Sequence, residues 1–410
     1  MKQFTIPFTY RNSLISAIKE KRKLADKMKK DFSPTLLDFG DIRIYLARHF
    51  GFCYGVENAI EIAFRTVDEN PGKRIFLLSE MIHNPKVNED LRKKGVDFLQ
   101  DTYGNEIIPF SSLDKDDIVL IPAFGTTIAI EEKLKAIGIA IEKYNTTCPF
   151  VEKVWNRSEQ IAAKDYTVIV HGKPTHEETR ATFSHAAANT PTVVVNDMKE
   201  TILLSKYITA ALPAEQFYID FKGRYAEGFD VSKDFERIGV VNQTTMLASD
   251  TQAIADFLKQ VMADKYKLTD SNIAERFADT RDTLCYATND NQSAVYGMLE
   301  QKADLAIVVG GFNSSNTSHL VELCEQKLPT YYIDAAERIF SADSIHHFNF
   351  HEKKLIEADQ FLPLQKPVSI LMTSGASCPD AVVEQVIRKL LTVAGMEEKY
   401  EATTAAFTAQ

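Results

Sequence analysis

A chain of 410 residues with 45% hydrophobic and 25% charged residues has the composition of a soluble globular protein, and its length suggests two to four domains with a core each. The net charge of −10 argues against nucleic acid or an anionic membrane surface as partner, although an acidic protein can still hold an anion locally. The five cysteines, at 53, 148, 285, 324 and 378, are odd in number and far apart, which speaks against a disulfide framework and for a reducing, cytoplasmic compartment.

Residues 1–40 form a basic extension, expected to be helical, with "KEKRK" and "KMKK" interrupted by Glu20, Asp26 and Asp31. It lacks the uninterrupted apolar centre of a signal peptide; a targeting peptide is the alternative reading. Further on, short β-branched runs alternate with helical patterns: "RIFLLS", "DIVLIPAF", "YTVIVHG", "PTVVVN", "RIGVVN", "LAIVVGG", "PTYYID" and "VSILMTSG". Such alternation predicts α/β units with small, mainly parallel sheets covered on both faces. No run nears the roughly 18–20 apolar residues that cross a bilayer; "DLAIVVGGF" at 304–312 is strand length, so no membrane span is expected.

Three segments repeat one device. "CYGVENAIEIAF" from Cys53, "CPFVEKVWNRSEQIA" from Cys148 and "CYATNDNQSAVYGML" from Cys285 each place a cysteine at the mouth of a helix, where N–H groups and the macrodipole favour a thiolate. One such cysteine per unit predicts three similar α/β domains, 41–147, 148–284 and 285–395, arranged about a common centre. The charged and aromatic stretch near 200–236 reads as an insertion in the second, and 396–410 as a tail.

Three thiolates match a structural zinc site poorly, because such sites want four ligands, often in Cys-x-x-Cys pairs. They fit better an iron–sulfur cluster with one iron lacking a protein ligand. Cys324 falls on the apolar face of a helix and reads as core, while Cys378 in "TSGASCPD" competes as a ligand. Its serine and glycine neighbours look more like an anion cradle. The turns "VVNQTTMLASD" at 240–250 and "VVGGFNSSNTSHL" at 308–320 share that character, and together they suggest a diphosphate held by neutral donors and helix starts. His83 and His176 follow strand-like runs, whereas His346, His347 and His351 read as solvated surface. In "HEE" at 176–178 either carboxylate could deliver a proton, and the residues alone do not choose between Glu177 and Glu178.

Taken in order, "GFCYGVENAI", "MIHNPKVNEDL", "NTTCPFVEKVWN", "HEETRAT", "NQTTM", "CYATNDNQ", "GGFNSSNTSHL" and "TSGASCPD" resemble the motifs of the 4-hydroxy-3-methylbut-2-enyl diphosphate reductase (LytB) family, from about residue 43 to 392. "HNPKVN" and "FNSSNTSHL" resemble its longer plant and cyanobacterial branch. The resemblance implies a pseudo-threefold trefoil of α/β domains around a [4Fe–4S] cluster on Cys53, Cys148 and Cys285 with one open iron, and removes Cys378 from the ligand set. It implies that His83, His176, Ser314, Ser315, Asn316 and Ser377 surround the diphosphate, that Thr244 stands near the reacting hydroxyl, and that Glu178 feeds protons, with Thr245 and Thr288 as further neighbours. The implied reaction is reductive removal of the allylic hydroxyl, giving isopentenyl and dimethylallyl diphosphates, the last step of the methylerythritol phosphate route. The electron donor is then external, ferredoxin or flavodoxin. A non-redox iron–sulfur dehydratase and a cluster-bearing sensor are the rival classes. The chain departs from many bacterial members at Phe124 in "IPAFGTT", where they carry a phosphate-binding histidine.

Overall fold

The apolar runs become strands because each is too short for a stable helix and too apolar for a surface loop. They lie in a computed structural model that describes residues 4–278 and 283–408, so the first three residues of the extension and the last two of the tail fall outside it. Two compact units divide the chain: 1–57, 82–89 and 286–410 form one, and 58–81 and 90–285 the other.

The first unit contains a five-stranded sheet in the order Thr35–Asp38, Ile42–Leu46, Val368–Ser374, Leu305–Val309, Thr330–Ile333. Only the first pair is antiparallel; the other three are parallel. Leu305–Val309 is buried throughout, as a central strand covered on both faces should be. The hairpin Ser344–Asn349 with Lys354–Asp359 carries His346 and His347. The basic extension is helical over Ser13–Ala25: Asn12 caps it by accepting the Ile15 N–H at 3.1 Å, and Leu14, Ile15 and Ile18 are buried. It packs beside the helices Asp380–Val393 and Glu398–Thr408.

The second unit holds two fully parallel sheets. One orders Val96–Phe98, Ile75–Leu77 and Ile118–Leu120, and the other Thr192–Val195, Thr167–His171, Ile238–Asn242 and Phe277–Ala278. In the four-stranded sheet the period-two alternation sorts side chains onto two faces. Val168, Val170, Val194 and Val241 pack with Val154 and Ile161, while Ile169, Val193, Val195 and Val240 pack with Leu204, Phe217, Phe221, Phe229 and Phe235. The 200–236 segment therefore supplies a core layer: Phe217 stacks on Phe221 and Phe229 at 5.1 and 5.2 Å. Three mainly parallel sheets with helical cover agree with the α/β class expected from the sequence. Among the described residues no helix is long and apolar enough to cross a membrane.

Candidate functional site

In open α/β sheets ligands meet the carboxyl ends of strands, where turns lead into helix starts. In the first unit, Leu305–Val309 and Val368–Ser374 end side by side, and Thr317 fits between their turns. A Cβ on Gly310 would lie 2.5 Å from the Thr317 hydroxyl, and one on Gly375 closer still, so only glycine lets the helix Ser315–Glu325 approach this far. Ser314 caps that helix: its hydroxyl oxygen accepts the Thr317 N–H at 3.2 Å and the Thr317 O–H at 2.9 Å.

The Ala376 peptide joins two of the sequence-predicted residues. Its N–H donates to Asn316 Oδ1 at 2.9 Å, and its carbonyl accepts the Cys53 N–H at 3.2 Å. Ser377 donates to the His83 carbonyl at 3.1 Å. Cys53, His83, Ser314, Ser315, Asn316 and Ser377 are thus brought into one neighbourhood, with all but Cys53 buried. The hydroxyl of Ser315 and the Nδ2 of Asn316 are buried with no hydrogen-bond partner. Leaving such donors unmet costs about 1–3 kcal/mol each, an expense a bound anion removes. Gly51 explains the glycine before Cys53: at φ 76° its missing Cβ makes room for the Lys19–Asp380 ion pair, 2.6 Å long.

The second unit gathers the remaining candidates. Cys148 directly precedes the helix Pro149–Ala162, and its N–H donates to the Ala123 carbonyl at 2.9 Å. The expected thiolate preference is not realised there. Burial pushes the thiol up to about 12, and nearby Cys285 and Glu178 push the same way, against the N–H groups of Phe150 and Val151. A helix terminus alone is too weak to ionise a desolvated thiol; a cation must complete the charge.

Glu178 is buried, and its carboxylate accepts from Thr244 twice, from N–H at 2.5 Å and from the hydroxyl at 3.0 Å. Glu177 accepts instead from Ser79. This separates the two acids that the sequence could not. His176 caps the helix Glu177–Ala187 by accepting the Glu178 N–H on Nδ1 at 3.2 Å, which leaves Nε2 as the protonated nitrogen of the neutral ring. Phe124 meets the His176 ring edge-on at 5.5 Å. Beside it Trp155 occupies the space where a Cβ on Gly125 would sit, stacks on His185 at 3.7 Å and donates to Thr182 at 3.2 Å.

Two residues that the sequence reading passed over hold this arrangement. Gln243 accepts from Lys173 N–H and the Thr179 hydroxyl at 3.1 and 2.9 Å and donates to Thr245 at 2.7 Å. Asn242 donates to the Gln243 carbonyl at 2.9 Å and accepts from Thr283, whose oxygen accepts the Asn242 N–H at 3.2 Å. Two residues after Thr283, the Cys285 N–H donates to the Thr244 carbonyl at 3.3 Å. The signal was a pair of amides closing an apolar strand, which must find partners once buried. Thr288, in the first unit, is buried. Cys324 and Cys378 are buried too, with thiols pushed up to about 12 by burial.

Among the described residues the five cysteines form no disulfide, and no group of three or more His, Cys, Asp and Glu side chains forms a ready-made metal site. A buried carboxylate paired with a hydroxyl in the second unit, and unmet donors suited to an anion in the first, mark strand ends of each α/β unit as places for polar chemistry. The chain belongs to the LytB protein family, which matches residues 44–391. It is similar to the 4-hydroxy-3-methylbut-2-enyl diphosphate reductase of Picosynechococcus sp., 41% identical over 86% of this chain and 84% of that one. The protein of the same name from Synechococcus sp. is 42% identical over 86% of each. Among solved structures, the E-1-hydroxy-2-methyl-but-2-enyl-4-diphosphate reductase of Plasmodium falciparum shares the fold, with a TM-score of 0.60 and 22% identity over 86% of this chain and 89% of that one.

Proposed function

We propose that this chain catalyses the reaction for which its relatives are named, reduction of 4-hydroxy-3-methylbut-2-enyl diphosphate, with a [4Fe–4S] cluster on the thiolates of Cys53, Cys148 and Cys285. Three thiols outside any disulfide, each directly before a helix, are a soft donor set that suits iron and sulfide and leaves one iron open. When bound, such a cluster supplies a Lewis-acidic iron and one-electron steps. The balance is simple: the allylic C–O bond breaks, a C–H bond forms, and two electrons with two protons release water.

The protein's own part is to hold the anion and to move protons. Ser314, Ser315, Asn316 and Ser377 offer short neutral donors at a helix start, suited to a diphosphate. His83 and His176 add imidazoles to that environment. Glu178 holds its proton-accepting oxygens against Thr244, so a proton can pass from the carboxyl to the threonine hydroxyl and on to the departing oxygen. That bidentate contact is the observation that carries the reading, because it ties an ionisable group to a hydroxyl beside the Cys285 turn. Electrons come from an external carrier, ferredoxin or flavodoxin. The test is anaerobic: reduced donor should be oxidised only when the diphosphate is added, with isopentenyl and dimethylallyl diphosphates appearing. Dehydration without donor oxidation would favour the dehydratase, and absence of any product the sensor.

A further inference from the structure

The basic extension has no role in the chemistry above. Its first 31 residues hold nine Lys and Arg against three Asp and Glu, in a chain whose net charge is −10. An acidic partner is therefore repelled by most of the molecule and attracted here. The helix Ser13–Ala25 and the residues after it border a cavity of about 500 Å3 in the first unit, whose wall includes Cys53, Phe52 and Tyr286. Five cations line it, Lys19, Lys23, Lys27, Lys29 and Arg48, against Asp26, Glu57 and Asp290. Lys19 and Lys29 are tied to Asp380 and Asp290 at 2.6 and 2.8 Å, whereas Lys27 is exposed and Lys23, also exposed, makes only a longer solvent-facing pair with Glu20 at 3.5 Å. Between the lysines stand two exposed apolar side chains, Leu24 at 65% and Met28 at 74% exposure. The Nε of Arg48, a residue only 7% exposed, is buried without a hydrogen-bond partner.

We propose that this face is the docking site for the electron donor, a small acidic protein carrying a one-electron iron–sulfur or flavin group. The inference rests on the reading of Cys53 as a cluster ligand, since that thiolate would be the entry point of electrons at the cavity wall. A small apolar centre ringed by flexible cations is what a brief redox encounter needs: charge steers and orients the partner, and the contact stays small enough to release it.

The experiment uses the full chain with its cluster reconstituted, an acidic [2Fe–2S] ferredoxin as probe, and two parallel readouts. The first is binding of oxidised ferredoxin by titration calorimetry at low and high salt. The second is turnover driven by a small chemical reductant, which needs no protein docking. Lys23→Glu with Lys27→Glu should weaken ferredoxin binding about tenfold or more at low salt, Lys23→Gln with Lys27→Gln by less, and high salt should erase the difference. Chemically driven turnover should stay within twofold of the parent. Lys222→Glu, an exposed lysine of the second unit, is the control and should change neither. Equal weakening by the control, or unchanged binding in the double variants, would overturn the docking face. Loss of chemically driven turnover in the double variants would make the extension structural and also overturn it. Lack of such turnover in the parent would instead defeat the proposed function.

Discussion

Replacing Glu178 by Gln separates proton delivery from architecture. The carboxylate receives two bonds from Thr244, from the N–H at 2.5 Å and from the hydroxyl at 3.0 Å. A glutamine keeps the first on its Oε1 and turns its amide toward the threonine oxygen, donating where the carboxylate accepted. The geometry survives, and both charge-assisted bonds become neutral ones at a cost of about 1–2 kcal/mol in stability. What disappears is the ionisable group. General acid–base catalysis contributes about 10²-fold or more, so the barrier should rise by about 2.7 kcal/mol and turnover fall about 100-fold. Substrate affinity and bound iron should stay close to parental values. Glu177→Gln keeps the Ser79 bond on its Oε1 and should lower turnover by less than about threefold, because the Thr244 hydroxyl is held by Glu178 instead. The assay is anaerobic turnover with a chemical reductant, paired with iron analysis and thermal unfolding. A Glu178→Gln protein that turns over within threefold of the parent, or a larger loss in Glu177→Gln, would refute the assignment of the proton path.

Cys53→Ser, Cys148→Ser and Cys285→Ser should each lower bound iron and sulfide and abolish turnover, whereas Cys324→Ser keeps both; normal metal content in any of the first three removes that residue from the ligand set. The Cys324 thiol, pushed up to about 12 by burial, should also resist alkylation of the native protein at pH 9, as mass spectrometry of the digested product will show. Thr283→Val leaves Asn242 Oδ1 and the Asn242 backbone N–H without their Thr283 partner and should lower stability by about 1–3 kcal/mol, read as a shift in the thermal midpoint of the metal-free chain, with reduced iron retention because Cys285 is two residues away. At the bacterial-type position, Phe124→His should change substrate affinity by no more than about 1 kcal/mol, the scale of one net hydrogen bond, while Thr126→Val with Thr127→Val should weaken it more. Equilibrium titration under reducing, anaerobic conditions ranks these variants, and unchanged affinity in the double valine protein would show that those hydroxyls do not compensate for the missing imidazole.

Strands and helix starts were the legible part of the sequence. "YTVIVHG", "RIGVVN" and "LAIVVGG" became Thr167–His171, Ile238–Asn242 and Leu305–Val309, and helices begin immediately after Cys53, Cys148 and Cys285. These features are local, set by apolar runs and by residues that stop or start a helix. Partnership between strands is not local. Ile42–Leu46 pairs with Val368–Ser374 across more than 300 residues, and nothing in either apolar run names the other. The 200–236 segment read as an insertion because its charges mask the spacing of Phe217, Phe221, Phe229 and Phe235, which meet only once the helix Ala214–Asp220 has folded back on the sheet. The polar stretch around His346 and His347 hid a hairpin for a related reason, since its half-covered residues carry no clean alternation. Adjacent acids such as Glu177 and Glu178 diverge by about 100° around a helix, so the choice between them depends on where His176 starts the first turn.

Trp155 is the chain's single tryptophan, and its position makes the protein its own optical probe. The indole stands on the helix that Cys148 opens, lies against the Gly125 turn next to Phe124, and is bonded to Thr182 on the helix that carries Glu178. His185 is stacked on it at 3.7 Å, so the indole's surroundings change with any tilt of either ring. All indole emission therefore originates between these segments, unmixed with signal from elsewhere. Metal loading of Cys148 or a shift of the Phe124 turn can be timed in a stopped-flow cell without attaching a label.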